Sequence, residues 1–323
     1  YNGEDISCFG LSNGIADVTV SGGVGMYTYL WSDGSNNDTL FNASAGKYFV
    51  TMTDANGCSE IDSITVTQPT AITSVTSIIS NYNGQDVSCY ASTDGQGRVV
   101  ASGGTGAYTY NWSNGTFNDT ISAIGAGKYI VEITDVNGCK GFDSITLTQP
   151  DTISTDIKVS SNFNGEDISC VGSSDGEAEL AISGGTASYN ILWSDASTND
   201  TLFNASAGTY TVLVTDVNGC TKSDSIVFVS PDTLTANTEV LSNYNGSQIT
   251  CIDSTDGIGR VNSFGGTGAH TYVWSNSTTS SLLVNVGDGT YYVTVTDANG
   301  CTFDDSLTFI EPTRINPTTS VIL

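Results

Sequence analysis

One unit of sequence recurs four times at a spacing of 81 residues, with no insertion or deletion at any landmark. Cysteines stand at Cys8, Cys89, Cys170 and Cys251, and again at Cys58, Cys139, Cys220 and Cys301. Tryptophans follow at Trp31, Trp112, Trp193 and Trp274, and a proline closes each unit at Pro69, Pro150, Pro231 and Pro312. A fixed period this long means a row of small domains or a solenoid. Four tandem copies also suit a rod, a stalk or a multivalent surface better than they suit a catalytic site.

Units of about 80 residues bury a limited share of their surface and usually need covalent help. The cysteines can supply it. There is no C-x-x-C and His270 is the only histidine, so a zinc site is not expected. The constant spacing of 50 predicts four disulfides within units, 8–58, 89–139, 170–220 and 251–301. Each would close a loop worth on the order of 4 kcal/mol in the chain-entropy model. The alternative pairs Cys58 with Cys89 across a unit boundary and leaves Cys8 and Cys301 over. Either arrangement implies secretion or surface display.

Eight Lys and Arg face 34 Asp and Glu, a net charge of −26, yet only 13% of residues are charged. Such a surface is mostly Ser, Thr, Asn and Gly with scattered carboxylates. It disfavours nucleic acid and anionic lipid as partners and suits an extracellular fibre that repels its neighbours. No signal peptide, transmembrane run or lipidation motif is visible, so no direct membrane insertion is expected. The chain starts inside one unit and stops inside another, and such elements are expected elsewhere in a longer protein.

Helical periodicity is absent, and short alternating runs between turn signals predict an all-β fold. The clearest strand is 48–53, with Tyr48, Val50 and Met52 facing inward and Phe49 outward. A tight hairpin turn, Asp54-Ala-Asn-Gly57, follows. Further strands are expected over 61–67, 72–79, 86–90, 97–101, 108–112 and 119–124, with Trp112 and Tyr110 at the core. About seven strands per unit predict two packed sheets, so the chain is expected to be a tandem array of four immunoglobulin-like β-sandwiches. The boundaries fall after the Gln-Pro pairs: 1–69 without its first strand, 70–150, 151–231, 232–312, and 313–323 as the first strand of a following repeat. The short Pro-pinned junctions predict a semi-rigid string.

These residues carry a resemblance. Asp86-Val-Ser-Cys89, Thr93-Asp94-Gly95, Ser102-Gly-Gly-Thr-Gly-Ala-Tyr108, Trp112-Ser, Ala126-Gly-Lys-Tyr129, Thr134-Asp-Val-Asn-Gly-Cys139 and Gln149-Pro150 resemble the SprB repeat of very large surface adhesins in gliding Bacteroidota. The departures are Asn13 in place of Asp at the first Asp-Gly turn and His270 in place of a strand tyrosine. The resemblance implies type IX secretion, filaments at the extracellular cell surface, and a role in adhesion and gliding motility. Its partners would be further repeats of the same chain and surface polysaccharide or the substratum.

No enzyme is expected. There is no repeated Ser-His-Asp or Cys-His arrangement, no cofactor motif and no metal site. The recurring Asp54, Asp135, Asp216 and Asp297 sit at hairpin turns, where a structural role outweighs acid–base chemistry. Their Asp-x-Asn-Gly pattern is like the start of a calcium loop but lacks the third ligand and the closing glutamate. The Gly-Gly pairs precede strands, so they are turns rather than phosphate loops. One motif remains, Asp-(Ser/Thr)-apolar, which looks like the O-glycosylation acceptor of Bacteroidota. It marks Thr39, Ser63, Thr120, Ser144, Thr152, Thr201, Ser225, Thr233 and Ser306, and it is equally the ordinary beginning of a strand. The leading expectation is therefore a structural stalk of a surface adhesin. The alternatives are a multivalent carbohydrate-binding array and a fragment of a secreted glycanase.

Overall fold

The structure, a computed structural model, describes residues 1–320. Among them all regular structure is β. Repeat 1 holds β1 (Gly14–Asp17), β2 (Thr28–Trp31), β3 (Thr39–Ala43), β4 (Gly46–Thr53) and β5 (Ser59–Val66). Repeat 2 holds β6 (Thr73–Ile78), β7 (Gly95–Ser102), β8 (Thr109–Trp112), β9 (Thr120–Ile124), β10 (Gly127–Thr134) and β11 (Lys140–Leu147). Repeat 3 holds β12 (Ser154–Val159), β13 (Ser174–Ser183), β14 (Tyr189–Trp193), β15 (Thr201–Ser206), β16 (Gly208–Asp216) and β17 (Thr221–Phe228). Repeat 4 holds β18 (Thr235–Val240), β19 (Gly257–Phe264), β20 (Thr271–Trp274), β21 (Leu282–Val286), β22 (Gly289–Thr296) and β23 (Thr302–Phe309).

In repeat 2 one antiparallel sheet has the order β6-β7-β9 and the other β11-β10-β8, and repeats 3 and 4 copy both. In immunoglobulin lettering this is A-B-E facing G-F-C with strand D absent. Alternation along each strand gives a single core between the sheets. Val99 and Ile121 come from one sheet, Trp112, Val131, Ile133 and Leu147 from the other, and all are at most 2% exposed. Trp112 lies on the third strand, as in antibody domains, and its indole N–H is satisfied by the Asn118 carbonyl at 2.9 Å. Tyr129, at the start of β10, donates its hydroxyl to the Gly125 carbonyl at 3.1 Å, the tyrosine corner of immunoglobulin domains.

Six strands form where about seven were expected. The segment 86–90 is a string of turns. Val87 is fully buried and plugs the end of the core. The polar groups around it bond to loops instead of a ladder: Asp86 accepts the Thr148 N–H at 2.7 Å, and the Ser88 N–H donates to Asp94 at 3.1 Å. Residues 313–320 form no strand, and the last three residues of the expected strand 313–323 lie outside the described residues. The substituted His270 does the tyrosine's work. Tyr108 donates its hydroxyl to the Gly103 carbonyl at 2.5 Å, and His270 places Nε2 3.0 Å from the matching Gly265 carbonyl.

The chain falls into two compact units. One comprises Tyr1–Thr152 with Gly185–Ala187 and Val217–Cys220; the other comprises Ile153–Gly184, Ser188–Asp216 and the chain from Thr221 on. The first thus holds repeats 1 and 2 and two loop tips of repeat 3, and the second the rest of repeat 3 and repeat 4.

Candidate functional site: the junctions between repeats

Each hairpin after the long strand is built by one aspartate. Asp135 is 5% exposed. Its Oδ1 accepts the N–H groups of Asn137 and Cys139 at 3.0 and 2.9 Å, and its Oδ2 accepts Thr105 N–H at 2.9 Å. Gly138 takes the left-handed conformation, φ +83°, that closes the turn. Asp216 and Asp297 are buried likewise, so the structural reading of these acids holds. With both oxygens of Asp135 and Asp297 committed to N–H donors, they are poor cation ligands. Asp54, in repeat 1, is more exposed. Backbone N–H bonds from Val24 and Cys58 hold its carboxyl below the usual range.

A second turn stands near each first cysteine. Tyr82-Asn-Gly-Gln85 is a two-residue hairpin with Asn83 at φ 52° and Gly84 at φ 91°, the type I′ geometry that Asn-Gly favours. Tyr1–Glu4, Phe163–Glu166 and Tyr244–Ser247 repeat it.

The two turns meet. Asn2 donates from Nδ2 to Oδ1 of Asn137 at 2.8 Å, and Asn137 Nδ2 reaches the carbonyls of Tyr1 and Ser7 at 3.4 and 3.3 Å. In the same unit Asn83 donates to Asn218 at 2.6 Å, and Asn218 to the carbonyls of Tyr82 and Ser88 at 3.1 and 3.2 Å. In the second unit Asn164 donates to Asn299 at 2.6 Å, and Asn299 to those of Phe163 and Ser169 at 3.1 Å each. Beside every asparagine pair runs a disulfide: Cys8–Cys139, Cys89–Cys220 and Cys170–Cys301, each with a sequence separation of 131.

The pairing corrects both expectations. None of the four disulfides within units, 8–58, 89–139, 170–220 and 251–301, is formed, nor is 58–89. Cys58 and Cys251 are free and exposed. The reason is the length of the sandwich. In repeat 1, Cys8 sits at the end where β5 finishes, because the Thr67 N–H donates to Asp5 at 2.8 Å and the Gly10 N–H to Gln68 at 2.8 Å. Cys58 sits at the other end of the paired strands β4 and β5, which run eight residues each. That is roughly 26 Å of strand, whereas a disulfide spans at most about 7 Å between Cα atoms. The chain leaves repeat 1 at the Cys8 end and enters repeat 2 at its hairpin end, where the Gly104 N–H donates to the Thr70 carbonyl at 2.9 Å. Cys8 therefore meets Cys139, and the two Cα atoms stand 5.6 Å apart. Cys58 and Cys89 occupy the two ends that this arrangement turns away from each other.

The acceptor-like motifs fall in three settings. Thr39, Thr120 and Thr201 open β3, β9 and β15, each half-buried and followed by a fully buried Leu40, Ile121 or Leu202. Ser63, Ser144, Ser225 and Ser306 lie within β5, β11, β17 and β23 rather than at strand starts. Ser63, Ser225 and Ser306 are exposed and Ser144 is half-buried. Thr152 and Thr233 are exposed in the connections, ahead of buried Ile153 and Leu234. The residues that sequence reading missed are Asn2, Asn83 and Asn164 and the hairpin asparagines they hold. Their signal was present, an Asn-Gly in each of two turns per repeat, but nothing local says that one turn grips the other.

A family model described as the SprB repeat matches residues 1–36, 81–117 and 162–198. No curated protein is similar enough to count as a relative. Among solved structures, the N-terminal eight Ig domains of Down Syndrome Cell Adhesion Molecule are 10% identical, with 88% of this chain and 56% of that chain covered and a TM-score of 0.26. The extracellular domain of protocadherin GammaB4 is 12% identical, with 95% and 63% covered and a TM-score of 0.28. Extracellular domains 3–5 of Drosophila OTK are 12% identical, with 76% and 92% covered and a TM-score of 0.25. The chain thus spans a little over half the length of the first of these, and TM-scores this low decide nothing; the sheet order and core do. The three family matches run from the Asn-Gly turn through the first cysteine and past the tryptophan, at the intervals of the repeat, and in these segments the chain is similar to the SprB repeat.

Proposed function

We propose that the chain is a stalk segment of a cell-surface adhesin, non-enzymatic and displayed outside the cell, whose task is to carry tension in adhesion and gliding. The observation that supports this reading is the stagger of the disulfides. Because each bond spans 131 residues and starts 81 after the last, the bonds overlap. A covalent path runs from Cys8 to Cys139, along the chain to Cys170, and through the next bond to Cys301. Even with every strand unfolded, only about 31 residues, roughly 110 Å, can be drawn out between Cys8 and Cys301. The reduced chain would give about 1,000 Å over the same stretch. Stretching single molecules held near the two termini tests this. The oxidised chain should stop near the short limit and gain several hundred ångströms on reduction, and equal extensions would sink the reading. Glycans on the exposed Ser63, Thr152, Ser225, Thr233 and Ser306 would shield such a fibre. Intact-mass spectrometry of native material should show hexose-containing adducts, and a mass equal to the bare oxidised chain would remove them.

A further inference from the structure

Each disulfide bypasses the stretch of chain that it spans. The three bonds span 8–139, 89–220 and 170–301, and each begins before the previous one has ended. No backbone position between Cys8 and Cys301 is therefore left unspanned. That includes the junction peptides after Pro69, Pro150 and Pro231, which bonds within repeats would have left as single threads.

The overlap does more than bypass one cut. The six bonded cysteines make three covalent nodes, joined by five stretches of chain. Stretches 8–89 and 89–139 both run between the first node and the second. Stretches 170–220 and 220–301 both run between the second and the third, and 139–170 joins the first directly to the third. Three stretches thus leave the first node and three leave the last. Exposed loops are where a protease finds backbone it can bind. The loops 32–37, 113–118, 194–199 and 275–280, which stand in place of strand D, are mostly exposed, and Phe117 is 71% exposed. They fall one each in the four paired stretches, so cutting all four leaves 139–170 whole. That stretch is β11 and β12, joined through Pro150 and Ile153, both buried.

We propose that the staggered bonding makes the chain tolerant of cutting: endoproteases that reach its exposed loops hydrolyse peptide bonds, and the covalent load path survives. This rests on the reading of the chain as a load-bearing stalk. Each cut adds one water across a backbone amide and leaves every disulfide in place. Any two cuts between Cys8 and Cys301 leave these two cysteines joined. The least that parts them is three, one in each stretch at the first node or at the last. A cut confined to 139–170 lengthens the path rather than ending it. Load then passes from Cys139 back to Cys89 and from Cys220 back to Cys170. That path is about 100 residues, roughly 350 Å when fully drawn out, against about 31 residues in the uncut chain.

A lysine-specific protease tests the network without depending on the fold. It is applied to the oxidised, denatured 323-residue chain with Cys58 and Cys251 capped by alkylation. Complete cleavage at Lys47, Lys128, Lys140, Lys158 and Lys222 cuts all three stretches at the first node. Intact masses should show two disulfide-linked assemblies, 1–47 with 129–140, and 48–128 with 159–222 and 223–323, beside free 141–158. In Lys128→Arg the stretch 89–139 stays whole, and a single assembly should hold everything but 141–158. Two assemblies from that variant, or separate 159–222 and 223–323 from either protein, would overturn the proposal. The native chain supplies the second arm. Cut in the 113–118 loop, where Phe117 suits an aromatic-specific protease, and stretched near its termini, it should stop at the same short limit as the uncut chain. Parting of the cut chain while the uncut one holds would sink the proposal alone. An uncut chain that extends as far as the reduced one would sink the stalk reading itself.

Discussion

Repeats 1 and 2 lie in one compact unit and share nearly every landmark residue, yet their last strands meet different surroundings. β11 follows the buried–exposed alternation of a core strand, with Ile145 at 6% exposure. β5 is exposed along seven of its eight residues, and Ile64, at the same repeat position, is 41% exposed. The difference is β6. In repeat 2 it pairs with β7 in register from Thr73↔Ser102 to Ile78↔Gly97 and touches β11, Ser74 donating to Asp143 at 3.0 Å and Thr76 to the Ser144 carbonyl at 3.1 Å. Repeat 1 has no such strand, and β1 is four residues long where β7 is eight. An amphipathic strand has a face fit for burial, but a neighbour must arrive to bury it, and in repeat 2 that neighbour is the repeat's own first strand, β6.

The largest break in this comparison should come from its apolar contact. Ile145→Ala should cost about 2–5 kcal/mol and Ile64→Ala less than about 1, because only the former leaves a cavity. Native-state hydrogen exchange of β10–β11 against β4–β5 reads the two repeats separately, which a global melt of a repeat array does not. Equal costs would mean that β6 contributes little. Next, Asn137→Ala should cost about 1–3 kcal/mol by stripping the Tyr1 and Ser7 carbonyls of their donor, while Asn56→Ala stays within about 0.5. A similar size is expected for Gly104→Ala. Gly104 has φ +61°, and a Cβ there would stand 2.7 Å from the Asp135 carboxylate. Gly23→Ala meets the Asp54 carboxylate only at 3.1 Å and should cost less. Native-state hydrogen exchange of the four variants side by side would rank them.

The smallest effect is with pH. The Val24 and Cys58 N–H groups hold the Asp54 carboxyl below the ordinary aspartate value of 3.8. A depressed carboxylate stabilises fully above its unfolded pKa, and the contribution is lost as pH falls through the lower folded value. Amide protection in the Asp54–Cys58 hairpin should therefore hold from neutral pH down toward the ordinary aspartate value of 3.8 and decline below it. Asp54→Asn should abolish that acid dependence, and a decline that persists in the variant would assign it to other carboxyls.

Much of the architecture was legible because it is written in short-range patterns. Alternation named the inward residues of the long strand, Asp-x-Asn-Gly named the hairpin, and the single tryptophan per repeat named the core. The segment 86–90 misled for the same reason: it alternates like a strand, while its polar groups bond to Thr148 and to Asp94 and not to another strand. The candidate site was half legible. All eight cysteines were expected to bond, but only six do, in pairs the sequence did not show, and Cys58 and Cys251 are free.

What the sequence determined by itself is therefore local: the repeat, the β class, the turns, the core residues and the acidic charge. What only the tertiary structure decided is which ends meet. A spacing of 50 residues between cysteines carries no direction, and chain separation says nothing of distance once two strands of eight residues each have carried Cys58 to the far end of the sandwich from Cys8. The chain leaves each repeat at one end and enters the next at the other. It is that vector, set by an even number of reversals through two packed sheets, that joins Cys8 to Cys139 across 131 residues.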